Sequence, residues 1–364
     1  MKILQGDALT RLREMPDESV NCCITSPPYW GLRDYGLSPS IFGGDPLCAH
    51  EWKDTSWRPE RWGARDDDNP GEKQRTNGGS LGHRGAVKKQ STCSFCGAWL
   101  GCLGMEPTPQ MFVAHVVEIF HEIRRVLRED GTVWVNFGDS YAAGGGKQVV
   151  QTKNASHGLD GMRQATPGFA PKQLIGIPWR YAFAMQDDGW WLRSDIIWAK
   201  PNTMPSSVRD RCTTAHEYIF MLSKSLRYYF DADAIKEPSI TSGQVVSLGE
   251  RSFAKRQADG AGVKSSGNGN AETYTVKETR NKRDVWTIAT QPYKEAHFAT
   301  FPPKLIEPCI LAGCPPGGVV LDPFTGSGTT GVVALHHQRD FLGIELNPDY
   351  IALAHKRILA EILS

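Results

Sequence analysis

Three groups of residues have types and spacings that can do chemistry. Near the amino end, Thr25-Ser26-Pro27-Pro28-Tyr29-Trp30 closes an apolar run. The two prolines fix the backbone and remove two N–H donors, so carbonyls there stay available as acceptors. A hydroxyl precedes them and aromatic rings follow. That set suits an exocyclic amino group, with acceptors for its protons and a ring to stack on its base; a stiff loop with core aromatics is the plainer alternative. Near the carboxyl end, Leu321-Asp322-Pro323-Phe324-Thr325-Gly326-Ser327-Gly328-Thr329-Thr330-Gly331 joins a strand to a helix. Gly326, Gly328 and Gly331 keep the G-x-G-x-x-G spacing, which lets a backbone approach a ligand closely at a helix head. Glu345 ends the next strand, where an acid can accept from both ribose hydroxyls, so the unit reads as a β-α-β nucleoside site. No lysine follows the second glycine region, which excludes a P-loop. A dinucleotide site, which leaves Asp322-Pro323-Phe324 unexplained, and a tight turn with incidental glycines stay open.

The third group is Cys48 and His50 with Cys93, Cys96 and Gly97. Two close pairs of N and S ligands suit tetrahedral zinc, and the segment between them lacks the apolar residues to fold alone, which favours a metal. The gap between the pairs is long, and free thiols with a surface histidine are the alternative; Cys102 and His83 are alternate ligands.

The elements that must position these groups follow from periodicity. Residues 2–5 form a short strand, and Asp7 caps a helix carrying Leu9, Leu12 and Met15. A strand at 19–25 stops at Pro27-Pro28. The clearest helix covers 109–128: Thr108 caps it, Pro109 sits in its first turn, and Phe112, Val116, Phe120, Ile123 and Leu127 make one stripe. Arg124, Arg125 and Arg128 lie near its end, where the dipole favours cations. A strand at 132–137, a helix at 175–186 and strands at 191–198 and 217–222 follow. At the carboxyl end come a strand at 319–321, a helix at 329–337, a strand at 341–346 and a helix from about Pro348. Between these, 37–107 is dense in Gly, Pro, Trp and charge and reads as an insertion rather than a core layer. Residues 142–172 read as a loop. Residues 239–283 are poor in apolar residues, with eight cations from Arg251 to Arg283 against four acids.

The 364 residues suggest two domains, or one with insertions. A hydrophobic share of 40% with 22% charged is that of an ordinary folded chain. Lys and Arg total 41 against 40 Asp and Glu, which excludes a generally polybasic binder and leaves a local basic groove open. No apolar stretch approaches spanning length, and the start reaches Gly6-Asp7 too soon for a signal peptide. Nine cysteines without a targeting signal argue against a disulfide framework, so a cytoplasmic location is expected.

Taken together, Ser26-Pro27-Pro28-Tyr29 and Asp322-Pro323-Phe324-Thr325-Gly326-Ser327-Gly328-Thr329-Thr330 resemble the catalytic motif and the S-adenosylmethionine loop of the amino-group DNA methyltransferases, in the order of the permuted beta group. His297-Phe298-Ala299-Thr300-Phe301-Pro302-Pro303-Lys304-Leu305 resembles the segment that covers the methionine end of the cofactor. Gly343-Ile344-Glu345-Leu346-Asn347 is similar to the ribose-binding strand, and Gly6-Asp7-Ala8-Leu9 to the strand end beside the adenine.

The resemblance implies an α/β fold: a Rossmann-like, S-adenosylmethionine-dependent methyltransferase sheet, circularly permuted, with insertions for target recognition. Residues 1–36 and 105–235 are then the catalytic half, 37–104 an insertion, in which the Cys and His pairs above suit a zinc knuckle, 236–285 a basic target-recognition segment, and 286–364 the cofactor half. The implied catalytic residues are Ser26, Pro27, Pro28 and Tyr29. The implied cofactor contacts are Asp7, Thr300, Phe301, Pro302, Asp322, Pro323, Phe324, Gly326, Gly328, Thr329, Thr330 and Glu345. The implied partner is double-stranded DNA, with a cognate restriction enzyme as a second one.

A serine in the place of Ser26 is more typical of the N4-cytosine enzymes, and an aspartate or asparagine of the N6-adenine enzymes. Carbon-5 methylation needs a thiolate nucleophile, and the Pro-Cys-Gln of that family is absent; Cys309 lies on an apolar helix and reads as core. Arg193, Lys200, Arg209 and Arg211 are candidates for phosphate contacts, and the basic tracts at 53–89 and 251–283 for target recognition. An N6-adenine DNA methyltransferase, a non-catalytic DNA-binding protein that keeps the pocket, and an RNA or small-molecule methyltransferase are the competing functions.

Overall fold

A computed structural model of the chain describes residues 1–31, 38–54, 91–143, 166–247, 273–275, 277–291 and 300–362. The strands in chain order are β1 (Lys2–Gln5), β2 (Val20–Thr25), β3 (Ser40–Phe42), β4 (Trp52–Asp54), β5 (Ser91–Cys93), β6 (Trp99–Gly101), β7 (Leu127–Phe137), β8 (Trp191–Ala199), β9 (His216–Ser223), β10 (Glu237–Pro238), β11 (Val245–Ser247), β12 (Thr273–Thr275), β13 (Thr279–Arg280), β14 (Val285–Thr287), β15 (Val319–Asp322) and β16 (Asp340–Glu345). The helices are α1 (Ala8–Arg13), α2 (Pro109–Val126), α3 (Ile177–Asp187), α4 (Pro303–Gly313), α5 (Thr329–His336) and α6 (Pro348–Ile362).

Eight strands form one sheet in the order β1-β16-β15-β2-β7-β9-β8-β14. Only β9 runs against the others, since it pairs antiparallel with both β7 and β8 while every other neighbouring pair is parallel. Helices cover both faces, as a mostly parallel sheet requires. Leu9, Leu12, Phe112, Phe120, Ile123 and Tyr181 bring α1, α2 and α3 onto one face. Leu305, Ile310, Val332 and Ile358 bring α4, α5 and α6 onto the other. The period of two shows in β2 and β15: Cys23 and Leu321 point to the first face, Cys22 and Val320 to the second.

The strand order explains where a ligand can sit. From β15 the chain leaves through α5 to β16 on one side; from β2 it leaves through α2 to β7 on the other. β15 and β2 are neighbours, so the crevice beyond their carboxyl ends is the topological switch point at which doubly wound sheets bind ligands. The chain's first strand, β1, lies beside its last, β16, with Gly6 N–H donating to Glu345 O at 3.0 Å. The ends of the chain thus meet at the sheet edge, as in a permuted arrangement.

Several elements differ from the sequence reading. The helix from Pro109 stops at Val126; Leu127 is already extended and pairs with Val20, so Arg128 lies on a strand rather than in a helical last turn. The helix expected from 175 starts at Ile177, behind Gly176 at φ 76° and with Asp139 accepting from the Gly176 and Ile177 N–H groups. The segment 37–104 carries a four-stranded antiparallel sheet, β3-β6-β5-β4, and its Phe42 and Trp99 join the core beside α2. Two isolated aromatics separated by polar residues leave no periodicity to detect. Of 239–283, the described part contains the pair β11–β12, and β13, which pairs with β10 just ahead of it. Most of the loop 142–172 and of the basic tracts lies outside the described residues, as do His83 and His297 to Ala299. Among the described residues, no helix is long and apolar enough to cross a membrane.

Candidate functional site

Ser26 and Asp322 follow and end adjacent strands, and a single contact ties their loops together. The Thr25 hydroxyl, at the end of β2, donates to Asp322 Oδ1 at 2.6 Å, across 297 residues of sequence. Asp322 is buried; its Oδ1 also accepts from the Phe324 N–H, and its Oδ2 accepts from the Thr330 hydroxyl at 2.6 Å. Burial pushes the Asp322 carboxyl up to about 6, against the pull of the Thr25 and Thr330 hydroxyls. It is therefore a buried fastener that fixes the turn after β15 to both β2 and α5.

The rest of that turn is held in the same manner. Glu345, at the end of β16, accepts from the Gly326 and Asn347 N–H groups, both at 2.8 Å. Its carboxyl is raised by burial, which these backbone donors oppose. Arg357, reaching in from α6, donates to Ser327 Oγ at 2.9 Å and Thr329 Oγ1 at 2.8 Å. The hydroxyls of Thr329 and Thr330 thus face inward, to Arg357 and Asp322, and what the turn offers a ligand is backbone.

Two glycines show why. A Cβ on Gly331 would lie 2.7 Å from Ile358 and 2.8 Å from Phe341, so α5 can approach α6 and β16 only without one. At Gly326 (φ +50°) the nearest atom to such a Cβ is Phe324 O at 3.9 Å, so its surroundings are open. This open backbone, the N–H groups at the head of α5 and the Glu345 carboxylate form a cradle that fits a nucleoside-bearing cofactor.

Asp7 stands at the end of β1, next to β16, and its Oδ1 caps α1 by accepting from the Thr10 N–H at 3.0 Å. Pro302 is the N-cap of α4, and Phe301 packs against the core below it. A Cβ on Gly313, at the far end of α4, would lie near Trp134, Thr132 and Cys22. The helix therefore runs antiparallel to β2, and its head, with Thr300, Phe301 and Pro302, points toward the switch point. Cys309 is buried in α4, and burial pushes its thiol far above the ordinary range, a core setting and not a nucleophile's.

On the other side of the crevice, Pro27 is buried and Ser26 half-buried. Tyr29 is anchored by its phenol. The hydroxyl lies 2.8 Å from Glu217 Oε2 and 3.0 Å from Asn136 Oδ1, and with one proton it donates to one of them at a time. Glu217, on β9, also pairs with Lys200 Nζ, which sits 4.1 Å from the Trp198 ring centre. Asn136, on β7, donates to Tyr218 O. The Tyr29 ring lies 6.2 Å from Phe137, at 26° to it. Trp30 Nε1 donates to Glu106 O at 2.9 Å.

Asn136, Glu217 and Arg357 were not singled out as site residues in the sequence. Only Asn136 carried a signal, as a polar residue inside the apolar run 132–137. Lys200, expected as a phosphate contact, is instead half-buried against Glu217, because a carboxylate in that setting needs a cation. Arg193 donates to the Tyr228 hydroxyl, Arg211 stacks on Tyr141, and Arg280 and Arg283 share Glu237.

The structure also gathers Cys48, His50, Cys93 and Cys96, whose ligand atoms all lie within 4.8 Å of one another.

The geometry has counterparts among known proteins. A DNA methylase family model, N6_N4_Mtase, matches residues 20–356. Type II methyltransferase M.XycI of Xanthomonas campestris pv. cyanopsidis is 40% identical over 358 residues, covering 98% of this chain and 87% of that one. Type II methyltransferase M.SmaI of Serratia marcescens is 38% identical over 360 residues, covering 98% and 90%. Among solved structures, PvuII DNA methyltransferase (cytosine-N4-specific) superposes with a TM-score of 0.52 at 17% identity, covering 99% of this chain and 90% of that one. A Thermus thermophilus protein in complex with S-adenosyl-L-methionine gives 0.50 at 19% identity, covering 99% and 94%. The two structures share the fold; the family match and the close relatives carry the identity. With its crevice at the β15–β2 switch point, this chain belongs to the N6/N4 family of S-adenosylmethionine-dependent DNA methyltransferases.

Proposed function

We propose that this enzyme methylates the N4 amino group of cytosine in double-stranded DNA, and that Ser26, Pro27, Pro28 and Tyr29 act on the base while the turn after β15 holds the cofactor. The observation that carries this reading is the Thr25–Asp322 contact, which sets the two loops side by side at the switch point.

The target amino group lies inside the duplex stack, so the base must be extruded to reach a cofactor in the crevice. Ser26 Oγ and the Pro27 carbonyl accept from the two N4 protons, which turns the nitrogen lone pair toward the methyl group. Among the described residues nothing engages the Ser26 hydroxyl, which leaves it available for that contact. Tyr29, held by Glu217 and Asn136, offers its ring to the extruded base. S-adenosylmethionine supplies an electrophilic methyl on a sulfonium. The amino nitrogen would take that methyl as the sulfur leaves as a neutral thioether, and its surplus proton would pass to solvent. Positioning of nitrogen and methyl is the main contribution of the protein. Glu345 would accept from the ribose hydroxyls, and Thr300, Phe301 and Pro302 would cover the methionine end.

Ser26 supports cytosine N4 over adenine N6, since a serine in that place resembles the N4-cytosine enzymes, where the N6-adenine enzymes more typically carry an aspartate or asparagine. The similarity to Type II methyltransferases supports a cognate restriction enzyme as partner. Nucleoside mass spectrometry of duplex DNA incubated with the enzyme and labelled cofactor tests the reading. N4-methylcytosine is expected; N6-methyladenine overturns the assignment of the target atom.

A further inference from the structure

The sheet β3-β6-β5-β4 has strands of only three residues each, too short to hold together without help. Its inner part has that help. Phe42, Ala98 and Trp99 are buried, and the His115 ring of α2 stacks against both Phe42 and Trp99, at 4.8 and 5.2 Å. Among the described residues the outer part has less: Leu47 and Phe95 are exposed. It is there that Cys48, His50, Cys93 and Cys96 converge.

Cys48 Sγ and Cys93 Sγ are 3.8 Å apart, and Cys96 Sγ is 3.4 Å from His50 Nδ1. Zinc–sulfur bonds of about 2.3 Å and a zinc–nitrogen bond of about 2.0 Å give tetrahedron edges of about 3.8 Å and about 3.5 Å. The surroundings suit thiolates and a fixed imidazole. The Phe95 N–H points at Cys93 Sγ at 3.4 Å. Gly97, at φ +74°, closes the turn by donating to Cys93 O. The Ser94 N–H donates to Glu51 O, tying the two ligand pairs together, and Trp52 lies against His50 with ring centres 4.7 Å apart. Surrounding contacts of this kind orient the ligands of a metal and raise its affinity.

The same sheet leads into the catalytic loop. After β6 the chain reaches Gly104, whose carbonyl accepts from the Gly31 N–H at 2.8 Å. Gly104 N–H donates to Glu106 Oε2, Glu106 Oε1 lies 3.0 Å from His115 Nδ1, and Glu106 O holds Trp30. A Cβ on Gly104 would lie 3.2 Å from Tyr29 O, so the two loops are in direct contact. Trp99 and Phe42 thus fix His115, His115 fixes Glu106, and Glu106 fixes the residues just after Tyr29.

We propose that Cys48, His50, Cys93 and Cys96 bind one structural zinc ion, and that this site staples the small sheet that buttresses the catalytic loop at Trp30 and Gly31. Four protein ligands leave no open position, so the ion serves structure and not chemistry. The buttressing role rests on the functional reading of Ser26–Tyr29; the metal site does not.

The test uses the full-length, tag-free protein purified from zinc-supplemented medium. Elemental analysis should find about one zinc per chain. Cys93→Ser combined with Cys96→Ser should lose it, and Cys212→Ser should keep it. Wild-type protein refilled with cobalt should show the strong visible bands of a tetrahedral thiolate-rich site, a readout that stands even if the double variant does not fold. Metal-free wild type, a Cys48–Cys93 disulfide by intact mass, zinc retained by the double variant or a weak octahedral cobalt spectrum overturns the site. For the buttress, removal of the metal should lower turnover on DNA by about 10-fold or more while cofactor affinity by calorimetry stays within about two-fold. An equal loss of both, or of neither, overturns that part and leaves the metal site standing.

Discussion

The turn after β15 and the loop after β2 face each other across one crevice, and they are held in different ways. The turn is supported almost wholly from within one β-α-β unit. Thr325 and Thr330 donate to Asp322, the Thr325 N–H donates to Ile344 O, Glu345 accepts from the Gly326 N–H, and Arg357 of the following helix completes the set. Among the described residues the loop shows no such local network. Tyr29 is held by Asn136 and Glu217, and Trp30 and Gly31 by Glu106 and Gly104. Those supports come from β7, from β9 and from the end of the insertion. A cofactor is the same in every turnover and can be met by a self-contained unit. A target base must be reached within a larger substrate, and the loop proposed to meet it is built where several separate elements meet.

If this contrast is right, damage to the turn should be global and damage to the loop selective. The largest effect is expected from Asp322→Ala. It strips two buried hydroxyls, Thr25 and Thr330, of their acceptor and cuts the only described side-chain bond between the two loops. Loss of buried hydrogen-bonded partners of this kind costs about 3 kcal/mol or more. Cofactor binding by calorimetry and methylation should both fall, and the denaturation midpoint should drop. An intact cofactor affinity would show that the turn does not depend on its fastener. Glu345→Ala should weaken cofactor binding with less effect on the fold.

The buried Asp322 carboxyl gives the next prediction. Its folded value of about 6 lies above the ordinary 3.8, so the folded protein holds this proton more tightly than the unfolded chain. The contribution to stability is then greatest below pH 3.8 and is lost as pH rises to about 6. Relative to Asp322→Asn, which cannot titrate, the wild type should lose about 3 kcal/mol between pH 3.8 and 6. Parallel denaturation curves for the two proteins across that range would remove the raised value.

This difference in support also explains what could be read from the sequence. The turn was legible because its glycines, its aspartate and its glutamate sit in one short, ordered stretch flanked by apolar strands. Ser26-Pro27-Pro28-Tyr29 was legible as a motif. Its supports were not, because Glu217 and Lys200 look like ordinary charges near strand ends and Glu106 like a loop acid. Their partners are set by a sheet order that places β9 beside β7. The insertion's sheet was missed for a related reason: three-residue strands carry no periodicity, and Trp99 becomes core only by packing on α2. Cys48, His50, Cys93 and Cys96 stood out through residue type and close pairing.

Ser26→Ala should act on the loop without touching the turn. It removes a contact at the reacting nitrogen, so turnover should fall by about 10- to 100-fold while cofactor affinity is kept, the pattern of an interaction made at the transition state. A matching fall in cofactor affinity would mean that Ser26 shapes the crevice rather than meeting the base.

The smallest effect, and the finest test, comes from Tyr29. Tyr29→Ala removes the ring and should cost about 1–3 kcal/mol of DNA affinity along with turnover, since stacking on an extruded base is of that size. Tyr29→Phe keeps the ring and removes only the hydroxyl that meets Glu217 and Asn136. Glu217 keeps Lys200 as a partner, so its charge stays compensated and the fold should hold. What is lost is the anchor: one hydrogen bond to a charged acceptor, about 1.5–3 kcal/mol at most, part of which water restores at this half-buried position. DNA affinity of Tyr29→Phe should therefore stay near wild type, while turnover drops a few-fold because the ring is less well aimed. If Tyr29→Phe instead matches Tyr29→Ala in DNA affinity, the hydroxyl and not the ring face is what the base requires. If it matches wild type in both, the bonds from β7 and β9 are not what positions the loop, and the support from Glu106 and Gly104 carries that task alone.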